Sequence, residues 1–300
     1  MTELEFPERP RFDPVTVEAC RRDANALPLV FGWACYVVGL CRMAVALPAE
    51  HDTATRLPTI HFVAVRGLLL RCSNLAEAML RLVAEDDHGD AVRVLARSIS
   101  ESAVKAMWLC GGDEERYLRF MADGVSSELE FCRQTEATIK ERGWALPIET
   151  RVLAAARDSI KSIGLTEEEI RSAKRLPDLA SMYEDVGIGR LSYVAVHKLG
   201  SHATHGTWME LLVNYVGTGS EGVGLDTSAV LPDARQLFDV ILAILEAMER
   251  VVLTLHRTLA GEEVLEHVRC AEQGLFDAMA VAYPEDFGWA AEELLRRRRR

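Results

Sequence analysis

Apolar residues recur every three or four positions along almost the whole chain, and the alternation of a half-buried strand is nearly absent. That periodicity predicts an all-α fold, a multi-helix bundle. The leader holds Pro7, Pro10 and Pro14, and residues 1–13 are expected to be disordered. Helices are predicted at about 14–23, 29–47 and 58–86, with Pro48 and Pro58 bracketing the connection between the last two. The next spans about 89–110 and stops at Gly111-Gly112, where a left-handed backbone is easily adopted. Asp113 then caps a helix from about 114 to 142, ending near Gly143.

Segments at about 148–163 and 167–175 follow, the second opened by Thr166 with Glu169 three positions later, the pattern of a capping box. Residues 125–175 are therefore expected to form a peripheral helical hairpin. Pro177 opens a short helix that ends at Gly187. A further helix is predicted at about 190–216, bent or broken by Gly200 and Gly206, and Gly217 to Gly224 are expected to be a loop. Helices at about 232–259 and 262–281 complete the bundle. An amphipathic segment with an arginine tail, Arg296 to Arg300, follows over 284–300. No repeat and no linker divides the chain, so residues 14–283 are expected to be a single helical domain.

Composition sharpens this picture. With 49% hydrophobic and 27% charged residues in a 300-residue chain, there is enough apolar surface for a large core. The net charge of −12 argues against general attraction to nucleic acid, which leaves only a local basic cleft as a route to RNA. The five terminal arginines fit the C-terminus of a helix, where cations meet the negative end of the dipole. Seven cysteines lie in apolar helical text without a Cys-x-x-Cys pair, and the acidic N-terminus lacks the features of a secretory signal. Reduced cysteines and a cytoplasmic location are expected. Ala24 to Cys41 holds no charge but contains Asn25, Pro28, Gly32 and Gly39, so it reads as a buried helix, and no membrane partner is expected.

Two neighbourhoods place polar residues inside apolar helical text. Arg97 and Glu101 are four apart and share a helix face. Arg before Glu is the weaker order for a surface pair, so either residue could serve a partner on another helix. A solvated i,i+4 ion pair is the plain alternative. Tyr193, His197, Ser201 and His205 follow one another at four-residue steps, a polar stripe if the segment is helical throughout. Polar stripes inside a bundle need partners, and Arg97 and Glu101 could supply them.

Such a cluster reads either as a network that fixes helix register or as an active site. In the second reading His205 or His197 moves protons and Arg97 holds an anionic phosphate. His202 and His205, with Glu101 as a third ligand, would be a metal site, but no second His-Glu pair completes it. No metal or cofactor is therefore expected. Nucleophile elbows, phosphate loops, dinucleotide-binding glycines and His-Glu-x-x-His are all absent.

The element Leu95-Ala-Arg97-Ser-Ile-Ser-Glu101, the later Glu115-Arg-Tyr-Leu-Arg-Phe120, and Tyr193 with Ser201-His-Ala-Thr-His205-Gly206 resemble a bacterial family of unknown function, numbered 5677, over roughly residues 60–260. In that likeness Ser201 and His205 take the matching positions and His202 is incidental. The resemblance implies an all-helical fold and no established activity. More distantly the sequence is similar to the HEPN superfamily of helical ribonucleases of bacterial defence, marked by Arg and His with four to six residues between them. Arg190 with His197 fits that spacing, and so do Arg56 with His61, Arg81 with His88, and Arg250 with His256. With four matches, spacing alone singles out no pair. The resulting expectation is a defence- or stress-related, metal-independent ribonuclease. Its rival is a non-enzymatic helical interaction module whose cluster only fixes the bundle, binding a protein partner or a second copy of itself.

Overall fold

The computed structural model describes residues 5–47, 59–85, 89–198, 200–219, 222–226, 228, 230–256 and 259–288. The fold is all-α. Four long helices build its centre: α2 (Leu27–Ala46) and α3 (Thr59–Glu85), then α4 (Gly89–Cys110), with α12 (Ala234–Leu255) arriving from much later in the chain. Helix α4 lies between α3 and α12, while α2 packs on α3, α12 and α13 (Leu259–Ala282). One apolar core runs through them, with Ile99, Met107 and Trp108 of α4 meeting Leu237, Ile241 and Met248 of α12. Burial of these side chains, each worth roughly 1.5–3 kcal/mol, supplies the driving force for the bundle. Helix α2, the one described helix long and apolar enough to cross a membrane, is half buried in this core. Its entry is set by Pro28, and α1 (Pro14–Arg22) is capped by the Asp13 carboxylate accepting from Thr16 N at 2.9 Å.

Residues 5–13 correct one expectation. They are not a free leader but an extended strap over α2 and α13. Phe6 stacks on His267 with ring centroids 3.9 Å apart. Pro7 lies against Gly39 and Phe12 against Gly32, where a side chain on either glycine would intrude. Tyr36 hydroxyl bonds His267 Nδ1 beneath the strap. The prolines that forbid a helix here also hold the chain extended, so its aromatic rings can bury without one.

Helix α5 (Glu114–Arg142) leaves the bundle and packs on α6 (Pro147–Ser162) and α7 (Glu167–Ser172), forming the expected peripheral hairpin. Its small core of Ala122, Ile160 and Ile170 is separate from the main one. Asp113 caps α5, Gly143 ends it with φ 81°, and Thr166 with Glu169 forms the capping box. Helix α8 (Leu179–Asp185) returns the chain to α4.

The stretch from 190 to 225 departs most from expectation. In place of one bent helix there are three residues of α9 (Arg190–Ser192), a π-helical turn (Tyr193–Lys198), α10 (Ser201–His205) and α11 (Trp208–Asn214). Gly206, with φ 54°, ends α10. The glycine-rich stretch expected as a loop is a small antiparallel hairpin, β1 (Val216–Gly219) with β2 (Gly222–Leu225), pairing Val216 with Leu225 and Thr218 with Val223. Alternating Gly with Val and Thr lets both backbones pair, which a count of glycines does not reveal. The chain then re-enters the core, where Val230 O accepts from Gly89 N at 2.7 Å at the head of α4. The arginine tail lies outside the described residues.

Candidate functional site

Helix α4 carries a polar stripe on the side not taken by the core: Arg93, Arg97, Glu101 and Lys105, each one turn after the last. The broken segment after Gly189 lies across this stripe, with the π-helical turn and α10 packing directly on α4. Gly200 lets the segment turn back on itself beside α4: a Cβ there would lie 2.6 Å from Val196 O in the turn, while Arg97 Cβ, at 3.7 Å, would be an ordinary contact.

The π-helical turn shapes the site. Such turns are rare and concentrate at functional positions, because widening one turn re-aims its side chains. Here Tyr193 and His197 stack with ring centroids 5.4 Å apart, and Tyr183 of α8 meets Tyr193 edge-on at 5.8 Å. His197 Nε2 lies 3.4 Å from Arg97 Nη2, a long hydrogen bond. A guanidinium can only donate, so Nε2 accepts and the ring proton is assigned to Nδ1. Burial, then the Arg97 charge, lowers the His197 pKa below the ordinary imidazole value, with Lys105 adding to this and Glu101 opposing it. The ring is therefore neutral near pH 7.

Two donors in this cluster are left over. His197 Nδ1 and Arg97 Nε are both buried and have no hydrogen-bond partner among the described residues. An unpaired buried donor costs about 1–3 kcal/mol, so its persistence asks what acceptor it awaits. Glu101 is not that acceptor. Its carboxylate is taken by Lys105 Nζ at 2.6 Å. Burial pushes the Glu101 pKa up, but the Lys105 hydrogen bond and the charges of Lys105 and Arg97 outweigh it and hold the group ionised. With Arg97 and Lys105 against Glu101, the cluster keeps one excess positive charge beside two free donors. Its charge and its donors are complementary to an anion, and a neutral imidazole lies at its edge.

Four of the six sequence candidates, Arg97, Glu101, Tyr193 and His197, are thus together. The other two are not. Ser201 donates its hydroxyl to His197 O at 2.8 Å, a local backbone bond within the turn. His205 is exposed at the end of α10, its side chain with no hydrogen bond or ion pair among the described residues. The four-residue stripe assumed one regular helix, and the π turn and the break at Gly200 rotate its second half away. His202 bonds Thr207 at 2.6 Å, and no group of three potential metal ligands occurs among the described residues. Arg190 does not meet His197 either; it is exposed, 3.6 Å from Glu184. His256 is buried against Phe62 while Arg250 donates to Val186 O.

Lys105 and Tyr183 were missed by the sequence reading. Lys105 was legible, since Glu101 followed by Lys105 is the favourable i,i+4 order. Tyr183 had no local signal; only tertiary packing brings α8 to Tyr193. Burial, followed by the Glu246 and Glu101 charges, raises its phenol and keeps it protonated.

No curated protein and no solved structure matches this chain. A family model does match over residues 62–223, which take in α4 and the broken segment up to β2, and so every member of the cluster, while α2, α12 and α13 lie outside it. By that match the chain belongs to the family of unknown function DUF5677.

Proposed function

We propose that the Arg97/His197 cluster binds a phosphodiester and that the protein is a metal-independent ribonuclease. The observation that carries this reading is the pair of unpartnered buried donors, Arg97 Nε and His197 Nδ1, beside a neutral imidazole. A bound phosphate would accept from Arg97 and draw its guanidinium off His197 Nε2. That lone pair then becomes free to take the proton of an RNA 2′-hydroxyl as its oxygen bonds the adjacent phosphorus; the P–O5′ bond breaks, leaving a 2′,3′-cyclic phosphate, the 5′-oxygen takes a proton from water, and His197 returns its own to solvent. Lys105 and Arg97 would stabilise the charge that gathers on the phosphate oxygens. His205, exposed and apart, has no part in this chemistry.

The test is cleavage of mixed RNA, in excess chelator, by wild type, His197→Ala and Arg97→Ala, with thermal melts of all three. The expected result is loss of about a hundredfold or more in rate with folding retained. No cleavage by wild type, together with a destabilised His197→Ala, would sink the proposal and mark the cluster as structural. One observation favours the rival reading, an interaction module. Trp208, Leu211 and Leu212 form an exposed apolar face on α11, the kind of surface that a protein partner or a second copy covers.

A further inference from the structure

Beside the Arg97 stripe lies a groove that the phosphate reading does not use. It has a volume of about 490 Å³, within the range of small-molecule sites. It opens at the Arg93 end of the stripe, one helical turn before Arg97. Ala96, Val196 and Gly200, the neighbours of Arg97 and His197, form part of its wall. Met209 and Val213, one turn apart on α11, add an apolar surface opposite α12. That pair is distinct from the Trp208, Leu211 and Leu212 face.

Most polar groups in the groove are engaged. Glu210 is held by Arg93 at 3.3 Å and by Asn214 at 2.7 Å, His202 by Thr207, and Arg235 by Asp286 at 2.9 Å. Asp233 caps α12 through Arg235 N. Gln236 and Asp239, three residues apart on α12, have no hydrogen-bond or ion-pair partner among the described residues. The groove therefore offers an apolar platform edged by a carboxylate, which accepts twice, and a carboxamide, which donates and accepts.

We infer that this groove is a guanine subsite, in which the base lies on Met209 and Val213 with its N1–H and 2-amino group on the Asp239 carboxylate and its O6 on the Gln236 amide. The inference rests on the ribonuclease reading for its neighbour, since the nucleotide's phosphate would occupy the Arg97/His197 site. Guanine is selected by the order of groups on its edge: two adjacent donors meet the carboxylate, and one acceptor meets the amide. Adenine presents an acceptor where guanine has N1–H and would set it against the carboxylate, a mismatch that a site built for hydrogen bonding rejects strongly.

The experiment is calorimetric titration of the full chain with 3′-GMP, 3′-IMP, 3′-AMP, guanosine, inorganic phosphate and argininamide. Wild type, Asp239→Asn and Val213→Trp are compared, each checked by thermal melt. Asp239 and Val213 are both exposed, which lets these variants keep the fold. The expected order is GMP over IMP, which lacks the amino group, and IMP over AMP, with about tenfold or more between GMP and AMP. Asp239→Asn should erase that order, and Val213→Trp should abolish guanosine binding by filling the groove; both should leave phosphate binding unchanged. Equal affinity for GMP and AMP, or a preference that survives Asp239→Asn, would overturn the inference. So would argininamide displacing guanosine with higher affinity, because the groove would then be a seat for a basic peptide. Asp239-dependent guanosine binding without phosphate binding or RNA cleavage would uphold the groove and remove the ribonuclease reading instead.

Discussion

The central bundle and the broken segment from 190 to 225 are built by different rules. In the bundle, helices α2, α4 and α12 run for 20, 22 and 22 residues, and α12 packs on both of the others in one continuous core. In the segment no helix exceeds 7 residues, and the π turn, Gly200 and Gly206 interrupt the register. Isolated helices that short are unstable in water, so the segment owes its shape to the stripe on α4 that it covers. A scaffold made by burial thus carries a site made by interruption.

This contrast can be broken most sharply at Trp108. It is 1% exposed, donates Nε1–H to Asp185 at 3.0 Å and packs in the main core beside α12. Trp108→Ala is expected to cost about 3–5 kcal/mol in a denaturant melt. A loss below about 1 kcal/mol would mean that the bundle is not the stabilising unit.

Next in size is a pH effect that separates two of the buried histidines, His256 and His197. Burial, with the Arg66 charge, lowers the His256 pKa to about 4, and its Nε2 has no partner among the described residues. In the unfolded chain the ring titrates near its ordinary value of about 6.5. Between these values the unfolded state binds the extra proton. Stability from neutral His256 is therefore complete above about pH 6.5 and is lost as pH falls toward 4, by roughly 3 kcal/mol in total. Melts from pH 7 to 5 should show this slope, and His256→Leu should flatten it. His197 is lowered in the same direction, but its variant is expected to move the pH profile of cleavage more than that of folding.

The smallest effects come from two glycines. A Cβ on Gly274 would lie 2.0 Å from the Trp33 ring, so Gly274→Ala should cost about 1–3 kcal/mol of global stability by overpacking. Gly200→Ala, pressed against Val196 O, should instead leave the global melt nearly unchanged and weaken phosphate binding. Equal global losses for both variants would erase the distinction between scaffold and site.

The helices of the scaffold were legible in the sequence because long apolar periodicity and caps act locally. Asp113, Gly143 and the Thr166/Glu169 box each mark their helix end in the structure. The candidate site was legible only in part. Arg97, Glu101, Tyr193 and His197 stood out as polar residues in apolar text, and they do assemble. Ser201 and His205 followed from a regular four-residue step, which the π turn abolishes. The strap over α2 and the β hairpin escaped for the same reason: an extended segment is held by what it lies on or pairs with.

The sequence by itself therefore determined the all-α class and the long helices with their caps, since 3.6-residue periodicity and capping chemistry are properties of neighbouring residues. Tertiary structure alone decided the pairing of Arg97 with His197, the exclusion of His205 and the groove at Asp239. Each depends on where residues roughly a hundred positions apart come to rest, and that follows from how the broken segment packs on α4.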